Sequence, residues 1–373
     1  MRPHEIRPRL LLGPGPSPVA GRILEAMARP TVGHLDPQLL ALMDEVQEGL
    51  KVVFGTENPM TFALSATGSA GMEAALANVL EPGDTAVIGI NGVFGGRLAE
   101  MARRMGAQVV EVEAPWGEPV SEDRFLEVLS RHPQARVAAL VHAETSTGVH
   151  QPLEAVGEAL AERETLFLVD AVTSLGGVPV DVDRVGIDVC YSGTQKCLGV
   201  PPGLAPITFS PKAMARIEGR SLPCQSWYLD VKLIAGYLGD ERRYHHTAPI
   251  NMLYALREGL ALVEEEGLEA RFARHRAAGE ALQSALLERG FELFAQEGYR
   301  LPQLTSARLP EGRPEAPLRK ELLDRFDIEV GGGLGPAKGK IWRVGLMGEG
   351  ARPEVVERLL TAVDQLLGVG ALA

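Results

Sequence analysis

The chain has 373 residues, enough to build two cores rather than one. Hydrophobic residues make up 45% and charged residues 23%, as in soluble globular proteins, and a formal charge of −12 argues against nucleic acid or an anionic membrane as partner. No apolar run reaches the roughly 18–20 residues of a bilayer span, and the N-terminal leucines fall short of the roughly 7–15 apolar residues of a secretory signal. Three cysteines, Cys190, Cys197 and Cys224, show neither metal-ligand nor paired spacing, which fits a reduced, cytoplasmic setting with Cys197 as a small packing residue.

Residues 1–20, with Pro14, Pro16 and Pro18 around Gly13 and Gly15, read as an extended arm lying on the body of the protein. From about Thr61 to Phe209 short apolar runs alternate with helical spacing: DTAVIGI (84–90), RLAEMARRMGA (97–107), AQVVEVE (107–113), an amphipathic stretch to Ser130, then ARVAALVHAE (135–144) and LEAVGEALAERE (153–164). This alternation predicts an α/β domain with a mostly parallel sheet covered by helices on both faces. After Pro249 two helical patterns, 251–267 and 268–290, each end in glycine. Strand candidates at 291–295, 304–310 and 341–347, with helices at 317–324 and 353–367, then predict a smaller α+β domain. The division is therefore an arm at 1–20, a large domain at 21–265 and a small C-terminal domain at 266–373.

Asp170 closes one apolar run, TLFLVDAVTSLGG (165–177), and Lys196, one of seven lysines, follows the next, Val185–Tyr191, in YSGTQKCLGVPPG (191–203). Consecutive parallel strands deliver both to the carboxyl edge of the sheet, where such sheets build their sites. A lysine and a carboxylate there point to pyridoxal phosphate, whose aldehyde a lysine captures and whose ring nitrogen a carboxylate keeps protonated. A phosphate seat is available at Thr67, Gly68 and Ser69, just before the amphipathic helix Gly71–Leu80, because helix N-termini favour anions. The cluster GGGLGPAKGK (331–340) is no nucleotide loop, since Ile341 replaces the required Ser or Thr. HAETSTGV (142–149) offers the hydroxyls of Thr145, Ser146 and Thr147 at the same edge, and NGVFGG (91–96) presents Phe94 as a platform for a flat ring.

The segments LLGPGPSP, EAALANVLEPGD, LVDAVTSLGG, YSGTQKCLGVPPG, YHHTAPI and GGLGPAKGKIWRVGLMG together resemble the class V aminotransferases of fold type I, most of all the alanine–glyoxylate and serine–pyruvate aminotransferase group. The resemblance covers nearly the whole chain. It implies a seven-stranded-type sheet in the large domain, Lys196 as the Schiff-base lysine, Asp170 as the pyridinium partner and Val172 as the apolar residue against the ring. Thr67, Gly68, Ser69 and Gln195 match the phosphate positions, Thr145 a hydroxyl near the ring oxygen, and Arg343 the arginine for the substrate α-carboxylate. Tyr244 and Thr247 match residues that reach a neighbouring subunit's phosphate, which implies a homodimer with shared sites. His34, in TVGHLDP (31–37), is a further candidate for the substrate pocket. Phe94 stands where animal members carry tryptophan, and Thr67 and Ser69 replace serine and histidine.

The expected activity is transfer of the amino group of a small amino acid, alanine or serine, to a 2-oxo acid, glyoxylate or pyruvate, in ping-pong fashion. Three alternatives compete with it. One is a cysteine desulfurase or lyase, for which Gln195 replaces the expected histidine and Cys224 is the only loop thiol; another is an aminoethylphosphonate–pyruvate transaminase, which would be indifferent to Arg343. The third is a non-catalytic protein that only binds the cofactor.

Overall fold

The computed structural model describes residues 2–239 and 241–368. In chain order its strands are β1 (Leu10–Leu12), β2 (Met60–Leu64), β3 (Thr85–Ile90), β4 (Gln108–Glu113), β5 (Val137–Val141), β6 (Ala143–Glu144), β7 (Val149–His150), β8 (Leu166–Asp170), β9 (Val189–Tyr191) and β10 (Ala205–Phe209). The small domain adds β11 (Glu292–Leu293), β12 (Leu304–Arg308), β13 (Ile328–Gly332) and β14 (Ile341–Gly345).

Seven strands form one sheet in the order β2-β10-β9-β8-β5-β3-β4, and every pairing is parallel except those made by β10. The central strands read as unbroken apolar runs because both of their faces are buried. Alternate residues feed two cores. Phe167 and Val169 of β8 join Val87 and Leu140 on one face, under the helices Pro37–Phe54 and Ile250–Glu266. Leu166 and Leu168 join Ile88 and Val141 on the other, under the helices Gly68–Val79 and Val93–Arg104. The helix Pro37–Phe54 is delimited by its own sequence: the Asp36 side chain accepts from the Gln38 amide, Pro37 opens the first turn and Gly55 closes the last at φ 67°.

The second sheet runs β1-β13-β14-β12-β11. Its core packs Ile328, Trp342 and Val344 against Leu282, Leu322 and Leu359 of the three C-terminal helices. The N-terminal arm does more than lie on the surface, since β1 pairs in parallel with β13, Leu10 opposite Ile328, and so forms the edge of the small domain's sheet. Sequence spacing misses β13, because its IEVGG ends in glycines that read as loop. The run Val185–Tyr191 also becomes strand only from Val189, after the short helix Val182–Val185.

Candidate active site

The chain enters the large sheet at β2 on one edge, lays β3 beside β4 on the other, and then returns to place β5 on the opposite side of β3. This reversal opens a crevice at the carboxyl ends of β3 and β5, where open α/β sheets bind ligands. A cleft of about 180 Å³ lies there. The helix after β2 contributes Gly68 and Ser69, the helix after β3 contributes Phe94 and Arg97, the segment after β5 contributes Thr145, β8 and its turn contribute Asp170, Val172 and Thr173, and the segment after β9 contributes Gln195 and Lys196.

Asp170 pairs with Val141 on one side and Tyr191 on the other, which fixes it at the sheet edge. Its Oδ1 accepts from the Val172 amide at 2.9 Å and its Oδ2 from the Tyr191 hydroxyl at 2.7 Å. Burial pushes the Asp170 pKa up, while these two bonds and the nearby cations Lys196 and Arg97 act to lower it. Lys196 is buried, and its pKa is brought down to about 8, mainly by desolvation, with the Arg343 charge also acting downward. Its Nζ donates to the carbonyl of Pro14.

The lysine is held by parts of the chain that sequence spacing leaves unconnected. Ser17 of the arm donates its amide to the Gln195 carbonyl at 2.9 Å and its hydroxyl to the Lys196 carbonyl at 2.7 Å. Gly15 sits at φ +114° against the lysine side chain, and a Cβ there would lie 2.8 Å from both Cδ and Nζ. From the helix Leu268–Glu288, the buried Arg271 donates to the carbonyl of Cys197 at 2.6 Å and to that of Gly176 at 3.1 Å.

At the other end of the cleft, Thr67 is the N-cap of the helix Gly68–Val79, but its side chain caps no amide. Its first turn is therefore free to receive an anion. Gln195, half-buried, lines the cleft with that turn, its Oε1 tucked away from solvent without a donor and its Nε2 the group able to donate to an anion. An uncapped helix start, whose free amides are donors, fits a phosphate group, and the lysine and carboxylate beyond it fit a pyridine aldehyde. Arg97 reaches the Ser69 hydroxyl at 3.4 Å and places its guanidinium 4.8 Å from the centre of the Phe94 ring.

Arg343, on β14, stands behind Thr145. Its Nε donates to the Gly332 carbonyl at 2.7 Å and its Nη1 to the Thr145 carbonyl at 3.2 Å. Burial lowers its pKa and the neighbouring carboxylate of Glu144 opposes that shift. His34, Tyr244 and Thr247 lie away from the cleft of their own chain. Tyr244 is 58% exposed, its hydroxyl is 3.2 Å from Thr247 Oγ1, and its ring packs edge-on against His34 at 5.2 Å. Cys224 is also outside the cleft, with its Sγ toward the Ala77 carbonyl.

Sequence reasoning overlooks Arg97, Glu144, Arg271 and Tyr191. A signal existed for Arg97, which follows Phe94 by three residues and so shares its helix face. Among the described residues no cluster of ligands suits a metal ion, and no helix is long and apolar enough to cross a membrane.

The sequence profile described as aminotransferase class-V matches residues 22–346. The chain is 42% identical to an alanine–glyoxylate aminotransferase of Rattus norvegicus over 98% of its own length and 89% of the relative's. It is 40% identical to an (S)-ureidoglycine–glyoxylate transaminase of Bacillus subtilis, covering 96% and 90% of the two chains. The crystal structure of an alanine–glyoxylate aminotransferase from Nostoc sp. superposes with a TM-score of 0.96 at 50% identity, over 98% of this chain and 97% of that one. The family's cofactor, pyridoxal phosphate, is therefore this chain's. With a lysine, a carboxylate and an uncapped helix start gathered at one sheet edge, and with relatives matched along almost the full length, the chain belongs to the class V aminotransferases.

Proposed function

We propose that the chain transfers the amino group of a small α-amino acid, alanine or serine, to glyoxylate or pyruvate in two half-reactions at one site. Pyridoxal phosphate, when bound, supplies the carbon that carries the amino group and a ring that accepts electrons from the substrate. The amides of Gly68 and Ser69, the Ser69 hydroxyl and the Gln195 amide hold its phosphate. Phe94 and Val172 bracket its ring, and the Asp170 carboxylate keeps a proton on the ring nitrogen. Lys196 Nζ takes the proton from the substrate Cα and returns it on the other side of the exchange. A pKa of about 8 suits this task, since roughly a quarter of such amines are neutral at pH 7.5. Arg343 binds the α-carboxylate as a planar fork that a lysine would replace poorly.

The observation that carries the choice of a small donor is the placement of the cations. Arg343 stands beside the lysine, whereas Arg97 stands on the phosphate side against Ser69. Among the described residues Arg97 and Lys196 are the basic residues that line the cleft, with Arg343 behind Thr145, so a donor's side-chain carboxylate would find no further cation. The relatives named for glyoxylate support that acceptor. The test is a panel of alanine, serine, glutamate and aminoethylphosphonate against glyoxylate, pyruvate and oxoglutarate. Preference for glutamate, or no transfer from any donor, refutes the reading.

A homodimer with shared sites accompanies this proposal. Tyr244 and Thr247 have exposed, mutually bonded hydroxyls, and Trp227, stacked on His245, is 63% exposed. In a dimer their targets are on the neighbouring subunit's cofactor phosphate. A monomer by sedimentation, fully active, would dismiss the shared site.

A further inference from the structure

The helix Val93–Arg104 carries the ring platform but begins without a cap of its own, because its N-cap residue is Gly92. The loop after β5 satisfies its first amides instead. Val93 N donates to Ser146 Oγ at 2.9 Å, and Phe94 N donates to Glu144 Oε2 at 2.9 Å. Ser146 in turn gives its amide to Glu144 Oε1 at 2.9 Å and its hydroxyl to the same oxygen at 2.6 Å. Glu144 has no exposed surface. The junction is also full: a Cβ on Gly92 would lie 2.4 Å from Ser146 Oγ and 2.5 Å from Glu144 Cδ.

The donor and acceptor inventory fixes the charge of this group. Backbone amides only donate, and the Ser146 hydroxyl, already accepting from Val93, has one proton, which it gives to Glu144. A proton on Glu144 would therefore face donors alone. Burial, and to a lesser degree the Asp170 charge, push the Glu144 pKa up, and the bonds from Ser146 and Phe94 hold it down. The charge also lies at the positive end of a helix and near enough to Arg343 to favour that cation. A buried charge is a costly way to end a helix that a local serine or aspartate could have capped.

We propose that Glu144 is a positioning residue: from across the crevice its carboxylate sets the start of the helix that carries Phe94, and so fixes the ring platform against which the cofactor is held. This rests on the pyridoxal phosphate reading of the cleft. The test titrates the cofactor-free full-length protein, wild type and Glu144→Gln, with pyridoxal phosphate, following the bound cofactor's absorbance band and its circular dichroism, with melting temperature measured in parallel. Glu144→Gln keeps the shape but points an amide donor at groups that are themselves donors. Its expected affinity is about tenfold weaker, equivalent to ~1.4 kcal/mol, with a changed dichroic amplitude. Failure of the wild type to bind removes the cofactor reading itself. Equal affinity and dichroism in both proteins, with or without a lower melting temperature, overturn the role of Glu144 alone. Should Glu144→Gln not fold, Ser146→Ala decides: it removes one donor to Glu144 and the cap on Val93, and unchanged binding and dichroism there overturn the proposal equally.

Discussion

Gly15→Ala tests whether the N-terminal arm is part of the catalytic apparatus. The added methyl would lie 2.8 Å from Lys196 Cδ and Nζ and 2.9 Å from Cε, whereas carbon atoms rest at about 3.5–4.0 Å. The arm is held by the Ser17 bonds on one side and by β1 on the other, so the lysine side chain gives way. It has to move by roughly 1 Å, and a shift of that size at a reacting group costs on the order of 10²-fold in rate. The backbone contributes separately: alanine at φ +114° is strained by ~1–3 kcal/mol. Expected results are a fall in kcat of about two orders of magnitude and a loss of ~1–3 kcal/mol in urea unfolding. The neighbouring Gly13→Ala is the control, because its Cβ would meet nothing nearer than 3.8 Å, and its kcat should match the wild type. A Gly15→Ala enzyme with kcat within about twofold of wild type refutes the reasoning that the arm sets the lysine's position.

Arg343→Ala should raise the KM for alanine by about 10–150-fold, the loss of one charge-assisted hydrogen bond of ~1.5–3 kcal/mol, and steady-state kinetics with alanine as the varied substrate check this. The proton transfer by Lys196 needs the neutral amine, whose fraction grows as pH rises. Single-turnover rates with alanine should therefore climb through about pH 8 and level off above it, and a rate that falls over that range would exclude Lys196 as the base. Arg271→Ala leaves the carbonyls of Cys197 and Gly176 without their donor and Glu266 without one of its cations, so chemical denaturation should show a loss of about 3–5 kcal/mol.

The parts of the site that sequence makes legible are those carried by regular strands. Asp170 closes, and Lys196 follows, an apolar run that ends in a buried strand, and once two such strands are parallel neighbours their ends must meet. Thr67 to Ser69 are legible for the same reason, at a helix start that follows a strand. Glu144 is not, because a glutamate among small polar residues reads as solvent-facing. Only its bonds to a helix contributed by another strand's turn reveal it. Arg271 is hidden in a helix dense with charges, where its burial cannot be told from the exposure of its neighbours by spacing alone. The arm escapes because β1 has three residues, too few for any periodicity, and its partner β13 comes near the other end of the chain.

That pairing dictates when the enzyme can become active during its synthesis. Domains fold as units, N-terminal first, as the chain leaves the ribosome. The seven-stranded sheet is complete once β10 has emerged, and with it Gly68, Ser69, Asp170 and Lys196. The segment that rests against that lysine has been made long before, at the very start, yet it has no strand to pair with until Ile328–Gly332 is translated. Arg343 comes later still. The first residues synthesised are thus among the last to settle, and a truncated chain that keeps the whole large domain should hold the cofactor's seat without a finished catalytic centre.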